Sequence, residues 1–320
     1  MSEQEMIDTL DTAPVAREAL RVQANRDELA ERIARAIPED GRVEPLEGLA
    51  LHRSSVAKEP LHSVSHPSLC VIAQGSKEVH LGERRHQYDP YHYLLVTAEL
   101  PLVGQILEAS PERPYLSLIL TLDAAVVSSV MIEAGHAVPQ RYSEVPAIDV
   151  SPLSASLLDA LVRLVKLLNN QDDASILAPL ITREIVYRLL MGEQGDRLRH
   201  IAVLDGEGHR IAQALKRLHE EFDQTIRVES LAEELGMSTS SFYHHFKAVT
   251  EMSPVQFQKR LRLQEARRLM LTEDLTASSA GYQVGYNDAS HFSREYKSLF
   301  GSPPARDVEQ LREAAIQAAI

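Results

Sequence analysis

The chain has 320 residues, 44% of them hydrophobic, which is enough for two ordinary cores. Its 33 Lys and Arg against 46 Asp and Glu leave a net charge of −13, and spread evenly that charge would exclude a phosphate-binding surface. A single cysteine, Cys70, excludes an internal disulfide; no apolar run reaches the eighteen or so residues of a membrane span, and the acidic opening MSEQEMIDTLD lacks the features of a signal peptide, so a cytoplasmic location is expected.

Residues 1–36 are polar, with Leu20, Val22, Leu29 and Ile33 at helical spacing, which predicts one or two peripheral helices. Short strands are then predicted at 69–74, 78–81, 87–88, 93–97, 103–108 and 115–122. They are separated by Gly75-Ser76, Gly82-Glu83, Asp89-Pro90, Leu100-Pro101 and the turn from Pro111 to Pro114. This spacing argues for a sandwich or a barrel. In SLCVIA, alternation puts Leu69, Val71 and Ala73 on one face and Cys70, Ile72 and Gln74 on the other, near the turn bearing Lys77. Cys70 is then either an inert small hydrophobe or, at a barrel mouth, a thiol whose pKa Lys77 lowers, reactive toward electrophiles such as aldehydes. Lys77, Tyr88, Tyr91 and Tyr93 are candidate residues of a ligand mouth, with core or turn packing as the alternative for each.

Leu157, Leu158, Leu161, Leu164, Val165 and Leu168 recur at helical spacing, and a second helix is expected over 174–191, with Ile176, Leu180, Ile181, Ile185 and Leu189. The glycine-rich, charged stretch GEQGDRLRHIAVLDGEG marks a boundary, which divides the chain into a first domain at 1–195, a linker at 196–208 and a second domain at 209–310, opened by a helix over 210–222.

Residues 228–250 and 276–300 hold two units with one internal pattern: a small-residue helix, a glycine turn, a cap, an F-x-x-x-[FY] helix and a closing S-P or P-P. In the first, Leu231, Ala232 and Leu235 form the apolar stripe, Gly236 the turn and Ser238 the cap. Phe242 and Phe246 point inward, leaving Ser240, Tyr243, His244 and Lys247 outside. In the second, Val284-Gly285 form the turn, Asn287 or Asp288 the cap and Phe292 with Tyr296 the buried pair, so Ala289, Ser290, Ser293, Arg294 and Lys297 face out. Small polar outer faces suit helices that enter a major groove. Between the units, Pro254 opens a helix with apolar positions at Val255, Leu261, Leu263, Ala266, Leu269 and Met270. Residues 255–271 span roughly 25 Å, which brings the two units toward the roughly 34 Å of one DNA turn.

The charge is uneven. Residues 209–320 carry 14 basic against 15 acidic side chains, while 1–208 carry 19 against 31. Within 247–268, Lys247, Lys259, Arg260, Arg262, Arg267 and Arg268 face only Glu251 and Glu265, a local basic patch.

The second domain resembles the AraC/XylS family of bacterial transcription regulators over about a hundred residues. The matching positions are Leu231-Ala232, Met237-Ser238, Phe242, Phe246-Lys247, Ser253-Pro254, Arg262-Leu263, Ala266, Val284-Gly285-Tyr286, Ser290, Phe292-Ser293-Arg294 and Gly301-Ser302-Pro303. Departures are Tyr286 and Tyr296 where the family usually has Phe, Ser279-Ala280 for Ile-Ala, and Glu251 where Gly is frequent. The resemblance implies base-edge contacts from Ser240, Tyr243, His244, Ala289, Ser290, Ser293 and Arg294, joined by Lys247 and Lys297, with Ser238, Lys259 and Arg260 on phosphates. The Q-G-x-K turn, the Y-D-P turn and the P-x-x-G-Q strand of residues 68–118 also resemble the cupin-like sensor domain of one subgroup of that family.

The implied fold is α+β in two domains: a cupin-like β-barrel with flanking helices, then an all-α domain of two helix-turn-helix units joined by a long helix. Metal-binding cupins place two His one residue apart, a pattern missing from His62, His66, His80, His86 and His92, so neither a metal nor a cofactor is expected. The implied function is a sequence-specific transcription regulator, an activator rather than an enzyme, which meets double-stranded DNA, RNA polymerase and a small-molecule effector. One of the helices over 155–191 either packs on the barrel or makes a homodimer interface. The alternative is a cupin enzyme with a DNA-binding appendage, which needs a metal triad or paired catalytic carboxylates.

Overall fold

The structure, a computed structural model, describes residues 3–57, 60–135, 145–202 and 207–317. It opens with one helix, α1 (Glu3–Ala36), and the expectation that this region is peripheral is corrected at its C-terminal end. Leu29, Ile33 and, just beyond the helix, Ile37 recur every fourth residue and are fully buried against the sheet, while Leu20 further back is exposed.

Ten strands follow: β1 (Gly41–Leu46), β2 (Leu49–Ser54), β3 (Leu61–Ser65), β4 (Ser68–Gln74), β5 (Ser76–Leu81), β6 (Arg84–Tyr88), β7 (His92–Val96), β8 (Leu100–Glu108), β9 (Tyr115–Thr121) and, after helix α2 (Ala124–Glu133), β10 (Ile148–Pro152). All ladders are antiparallel and form two sheets, β1-β2-β9-β4-β7-β10 and β3-β8-β5-β6. The two sheets face each other across a shared core, and β6 approaches β7 and β10 along one seam without a closing ladder among the described residues. β1, β3 and β10, which sequence reasoning did not find, are edge strands, where one unpaired side relaxes the need for apolar alternation. β2, also missed, pairs with β9 and buries Leu49 and Leu51, but its apolar residues are interrupted by His52 and Arg53.

Alternation assigns the faces of the larger sheet. Leu69, Val71 and Ala73 of β4 and Leu116, Leu118 and Leu120 of β9 turn toward the helices, whereas Cys70, Ile72 and Tyr115 turn toward the second sheet. The helical side is filled by α1, α2, α3 (Ala155–Lys166), a 3-10 turn (Leu167–Asn169) and α4 (Gln171–Leu190). On α3 the expected stripe of Leu157, Leu158, Leu161, Leu164 and Val165 is buried. On α4, Ile185 and Leu189 are buried, but Ile176 and Leu180 are exposed. The residues expected as a linker carry a helix, α5 (Gly195–Ala202), in which Leu198 is fully buried and Arg197 binds Asp149 at 2.9 Å and donates to the Pro146 carbonyl at 2.5 Å. Positions 203–206 of that linker lie outside the described residues.

The remaining helices are α6 (Glu207–Glu220), α7 (Val228–Glu234), α8 (Thr239–Thr250), α9 (Pro254–Thr272), α10 (Ala277–Gln283), α11 (Ala289–Phe300) and α12 (Pro304–Gln317). The core between the two sheets runs on through Leu100, Ala147 and Ile148 into that of α6, α7, α8 and the start of α9, while α10, α11 and the rest of α9 enclose a core of their own. No helix among the described residues is long and apolar enough to cross a membrane.

Ile33→Ala is expected to destabilise the sheet domain by about 2 to 4 kcal/mol, because it empties a fully packed site. Leu20→Ala should stay within about 0.5 kcal/mol. Urea unfolding of the two variants beside wild type checks both.

Candidate nucleic-acid interface

Each unit folds for reasons local to its sequence. In the first, α7 buries Leu231 and Ala232, and Gly236 takes φ of 65°, the left-handed conformation that lets the chain reverse. The Ser238 hydroxyl then accepts the Ser241 N–H to start α8. Phe242 and Phe246 are fully buried, with Phe257 edge-on to Phe246, so Ser240, His244 and Lys247 lie on the exposed face and Tyr243 is half-buried beside them. In the second unit, of the two caps the sequence allowed, Asp288 is the one used, accepting the His291 N–H at 2.5 Å. Phe292 and Tyr296 are fully buried, Ser290, Arg294 and Lys297 are exposed, and Ala289 and Ser293 are half-buried. Arg294 forms no ion pair or hydrogen bond among the described residues, so its guanidinium projects unencumbered from α11.

The two tyrosines that depart from the family pattern each find a carboxylate. Tyr286 donates to Glu295 at 2.7 Å and Tyr296 to Asp307 at 2.7 Å. Burial first, and then the bonded carboxylate, holds both phenols well above their ordinary range. Asp307 also takes a bidentate pair from Arg267, at 2.7 and 2.8 Å, which ties α12 to α9.

The expected basic patch is largely dissolved by such partners. Besides the pairing of Arg267, Arg268 pairs with Glu265 and Glu273, and Lys259 lies 3.3 Å from Glu295. Arg262 is taken up by backbone carbonyls of Phe222, Gln224 and Gly285. Several of these partners lie outside the 247–268 window, and the Arg262 acceptors carry no charge, so counting charges within the window could not reveal them. Lys259 and Arg260, expected on phosphates, line a cleft of about 790 Å³ between α8, α9, α11 and the β5–β6 turn, together with Lys247, Arg84 and Glu251. Among the described residues the unpaired cations on the outer faces of α8 and α11 are Lys247, Arg294 and Lys297.

Val255, expected to be apolar packing on the connecting helix, is exposed, and the buried residue of that turn is Phe257. The rest of the expected face, Leu261, Leu263, Ala266, Leu269 and Met270, is buried. Ser253 and Gln256 close a capping box around Pro254.

The first unit is docked on the sheet domain. The Ala147 N–H donates to the Val249 carbonyl at 3.1 Å, and Arg84 meets Glu251 at 2.9 Å. Glu251 ends α8 at φ of 59°, the left-handed position where the family often has Gly, and burial raises its carboxyl despite Arg84. On the other side of α9, His62 of β3 stands edge-on to Phe300 of α11 with ring centroids 4.6 Å apart.

The candidate sensor residues separate. Cys70, Lys77 and Tyr88 converge between the sheets, where a hydrogen bond joins Tyr88 to Tyr115, a residue that sequence reasoning missed although it alternates with Ser117 on β9. Burial pushes the Cys70 thiol up, and Lys77, which pulls it down as expected, is outweighed; the thiol lies between the sheets and not at a mouth. Tyr93 turns to the helical side of its sheet, with burial raising its phenol to about 12, and Tyr91 is exposed under the Arg26 guanidinium at 4.2 Å.

A two-sheet domain docked on paired helix-turn-helix units defines the class of two-domain bacterial regulators. The family described as AraC-type transcriptional regulator N-terminus matches residues 45–197 and a helix-turn-helix domain family matches 231–310, and the chain belongs to the AraC-type transcriptional regulators. It is similar to the HTH-type transcriptional activator RhaS of Salmonella schwarzengrund and of Citrobacter koseri, 28% identical in each case over 168 residues, 52% of this chain and 59% of each relative. The chain thus spans about three fifths of the length of these curated relatives. In fold it is similar to ToxT from Vibrio cholerae in a structure with bound unsaturated fatty acid, at TM-score 0.51, 12% identity and coverage of 83% of this chain and 96% of that one. Another ToxT structure, bound to (E)-4-(8-methylnaphthalen-1-yl)but-3-enoic acid, aligns at TM-score 0.53 and 13% identity over 82% and 98% of the two chains.

Burial first, then Arg267 and Arg260, hold His62 down from its ordinary value of 6.5 to about 4. When the contact opens His62 takes up a proton below 6.5, so stability present above that pH is lost progressively as pH falls toward about 4. The urea midpoint of wild type should therefore drop more between pH 7 and 4.5 than that of His62→Phe. Equal drops would mean that His62 does not contribute.

Proposed function

We propose that this protein is a sequence-specific DNA-binding transcription regulator, an activator rather than an enzyme, governed by a small molecule in the sheet domain. One observation carries the reading: two helices, α8 and α11, are each anchored by a buried aromatic pair and present a small polar outer face on one connected body. Ser240, Tyr243 and His244 on α8, and Ala289, Ser290, Ser293 and Arg294 on α11, are the base-reading residues, with Lys247 and Lys297 beside them and Ser238 on phosphate. The relatives support activation, and through it contact with RNA polymerase in the cytoplasm. The small acids bound by ToxT support an apolar, acidic effector for this sheet domain too. Dimerisation is assigned to α4, whose Ile176, Leu180 and Tyr187 are exposed on one face, continued by Met191 just past its end.

Full-length protein is expected to retard duplex DNA in a gel, with affinity falling steeply as salt rises. Arg294→Ala should cost about 1 to 3 kcal/mol on the preferred sequence and relax preference at a single base pair, measured by binding a panel of point-substituted duplexes. Absence of binding at low salt defeats the reading.

Wild type should sediment as a dimer at micromolar concentration and Leu180→Glu as a folded monomer. A monomeric wild type would remove α4 as the interface.

A further inference from the structure

The two helix-turn-helix units have separate cores, and they divide at one residue. Phe257 and Leu261 of α9 belong to the first core, while Leu263, Ala266, Leu269 and Met270 belong to the second. Arg262 stands between Leu261 and Leu263, half-buried, and its guanidinium joins what the cores leave apart. Nε donates to the Phe222 carbonyl at 2.6 Å and Nη2 to that of Gln224 at 2.7 Å, both in the loop that leads into the first unit. Nη1 donates to the carbonyl of Gly285 at 3.3 Å, in the turn of the second unit. One turn earlier on α9, Gln258 donates to the same two loop carbonyls at 3.1 and 2.8 Å.

Loop and turn also touch directly. Gly285 takes φ of 88°, and a Cβ there would lie 1.9 Å from the Asp223 carbonyl oxygen, so the turn closes on the loop only because no side chain intervenes. A planar guanidinium donates in three directions at once, whereas a lysine in the same place would offer a point charge with no fixed fork. None of the Arg262 hydrogen bonds is to a carboxylate, so a cation in the DNA-binding domain is committed to holding backbone together.

We propose that Arg262 is a specificity-determining positioning residue: by bracketing the entry loop of the first unit to the turn of the second, it fixes the separation and phase of α8 and α11, and so the spacing between the two half-sites that the protein accepts. The proposal rests on reading both units as DNA-binding. A helix joins the units, and α9 with its 19 residues is about 28 Å long. The second unit packs on the C-terminal half of α9 and Phe222 touches both cores, and to these the bracket adds the polar tie between the entry loop of the first unit and the turn of the second. DNA advances roughly 3.4 Å and rotates by roughly a tenth of a turn per base pair, so a clamped pair of units meets an altered spacing out of phase.

The test uses full-length protein and a duplex recovered by wild type from a random-sequence pool, then rebuilt with one, two and five base pairs inserted or removed between the half-sites, and with one half-site scrambled. Wild type should lose about tenfold or more in affinity on a two-base-pair change. Arg262→Met and Arg262→Lys should both bind every spacing within about threefold, with unchanged affinity for the single half-site duplex. Agreement of the Lys variant with the Met variant separates the bracket from simple attraction of a cation to phosphate. Circular dichroism establishes that each variant is folded. If neither Arg262 variant folds, Gln258→Ala, which removes two bracket bonds and no charge, should still reduce the penalty at least threefold. A folded variant that keeps the wild-type spacing penalty, or a wild type indifferent to spacing, overturns the proposal while DNA binding stands. Failure of wild type to recover any duplex fails the DNA-binding reading itself.

Discussion

The contact of the Arg262 guanidinium with three backbone carbonyls is the constraint through which the second domain holds together as one body. Neither unit is large enough to bury its polar loop and turn alone. Phe222, Gln224 and Gly285 expose carbonyls at the point where the two cores end, and leaving such groups without donors costs on the order of 1 to 3 kcal/mol each. Donors supplied from the middle of α9 turn that cost into rigidity. The exposed faces of α8 and α11 then inherit a fixed relation from a residue that lies on neither.

The same body is held asymmetrically by the sheet domain. The first unit shares a continuous core with the space between the sheets and is tied by Ala147 to Val249 and by Arg84 to Glu251. The second unit meets the sheet domain chiefly where β3 comes up against α9 and Phe300. The core between the sheets therefore has a short packed route to α8, while α11 touches the sheet domain at Phe300 and otherwise joins it through α9. The interior cluster of Cys70, Lys77, Tyr88 and Tyr115 lies at the start of that route, within the core that continues into the first unit.

Charge is organised by pairing rather than by excess. A chain of net charge −13 satisfies many of its cations internally: Arg267 with Asp307, Arg268 with Glu265 and Glu273, Lys259 with Glu295, Arg163 with Asp159 and Glu184. Among the described residues, Lys247, Arg294 and Lys297 are left unpaired on the outer faces of α8 and α11. The hydroxyls of Tyr286 and Tyr296 extend the same economy, each joining a carboxylate that already serves a cation.

Much of this was legible in the residues. Glycine at two turns, hydroxyl and carboxylate caps, and aromatic pairs four apart are local signals with local causes, so both helix-turn-helix units, their buried pairs and their outer faces could be read before any packing was known. Alternation in SLCVIA likewise assigned Cys70 and Val71 to opposite faces of β4 correctly. Folding in three dimensions settled matters that depend on partners distant along the chain. Edge strands β1, β3 and β10 owe their existence to neighbours, α1 became core because a sheet lay beneath Ile33, and Val255 ceded its place to Phe257 because of where the first core falls. The apparent basic patch shrank to Lys247 and Arg260 for the same reason: Asp307, Glu295 and the carbonyls of Phe222, Gln224 and Gly285 lie outside the 247–268 window, and hydrogen bonds and ion pairs depend on distance in space, to which order along a chain is indifferent.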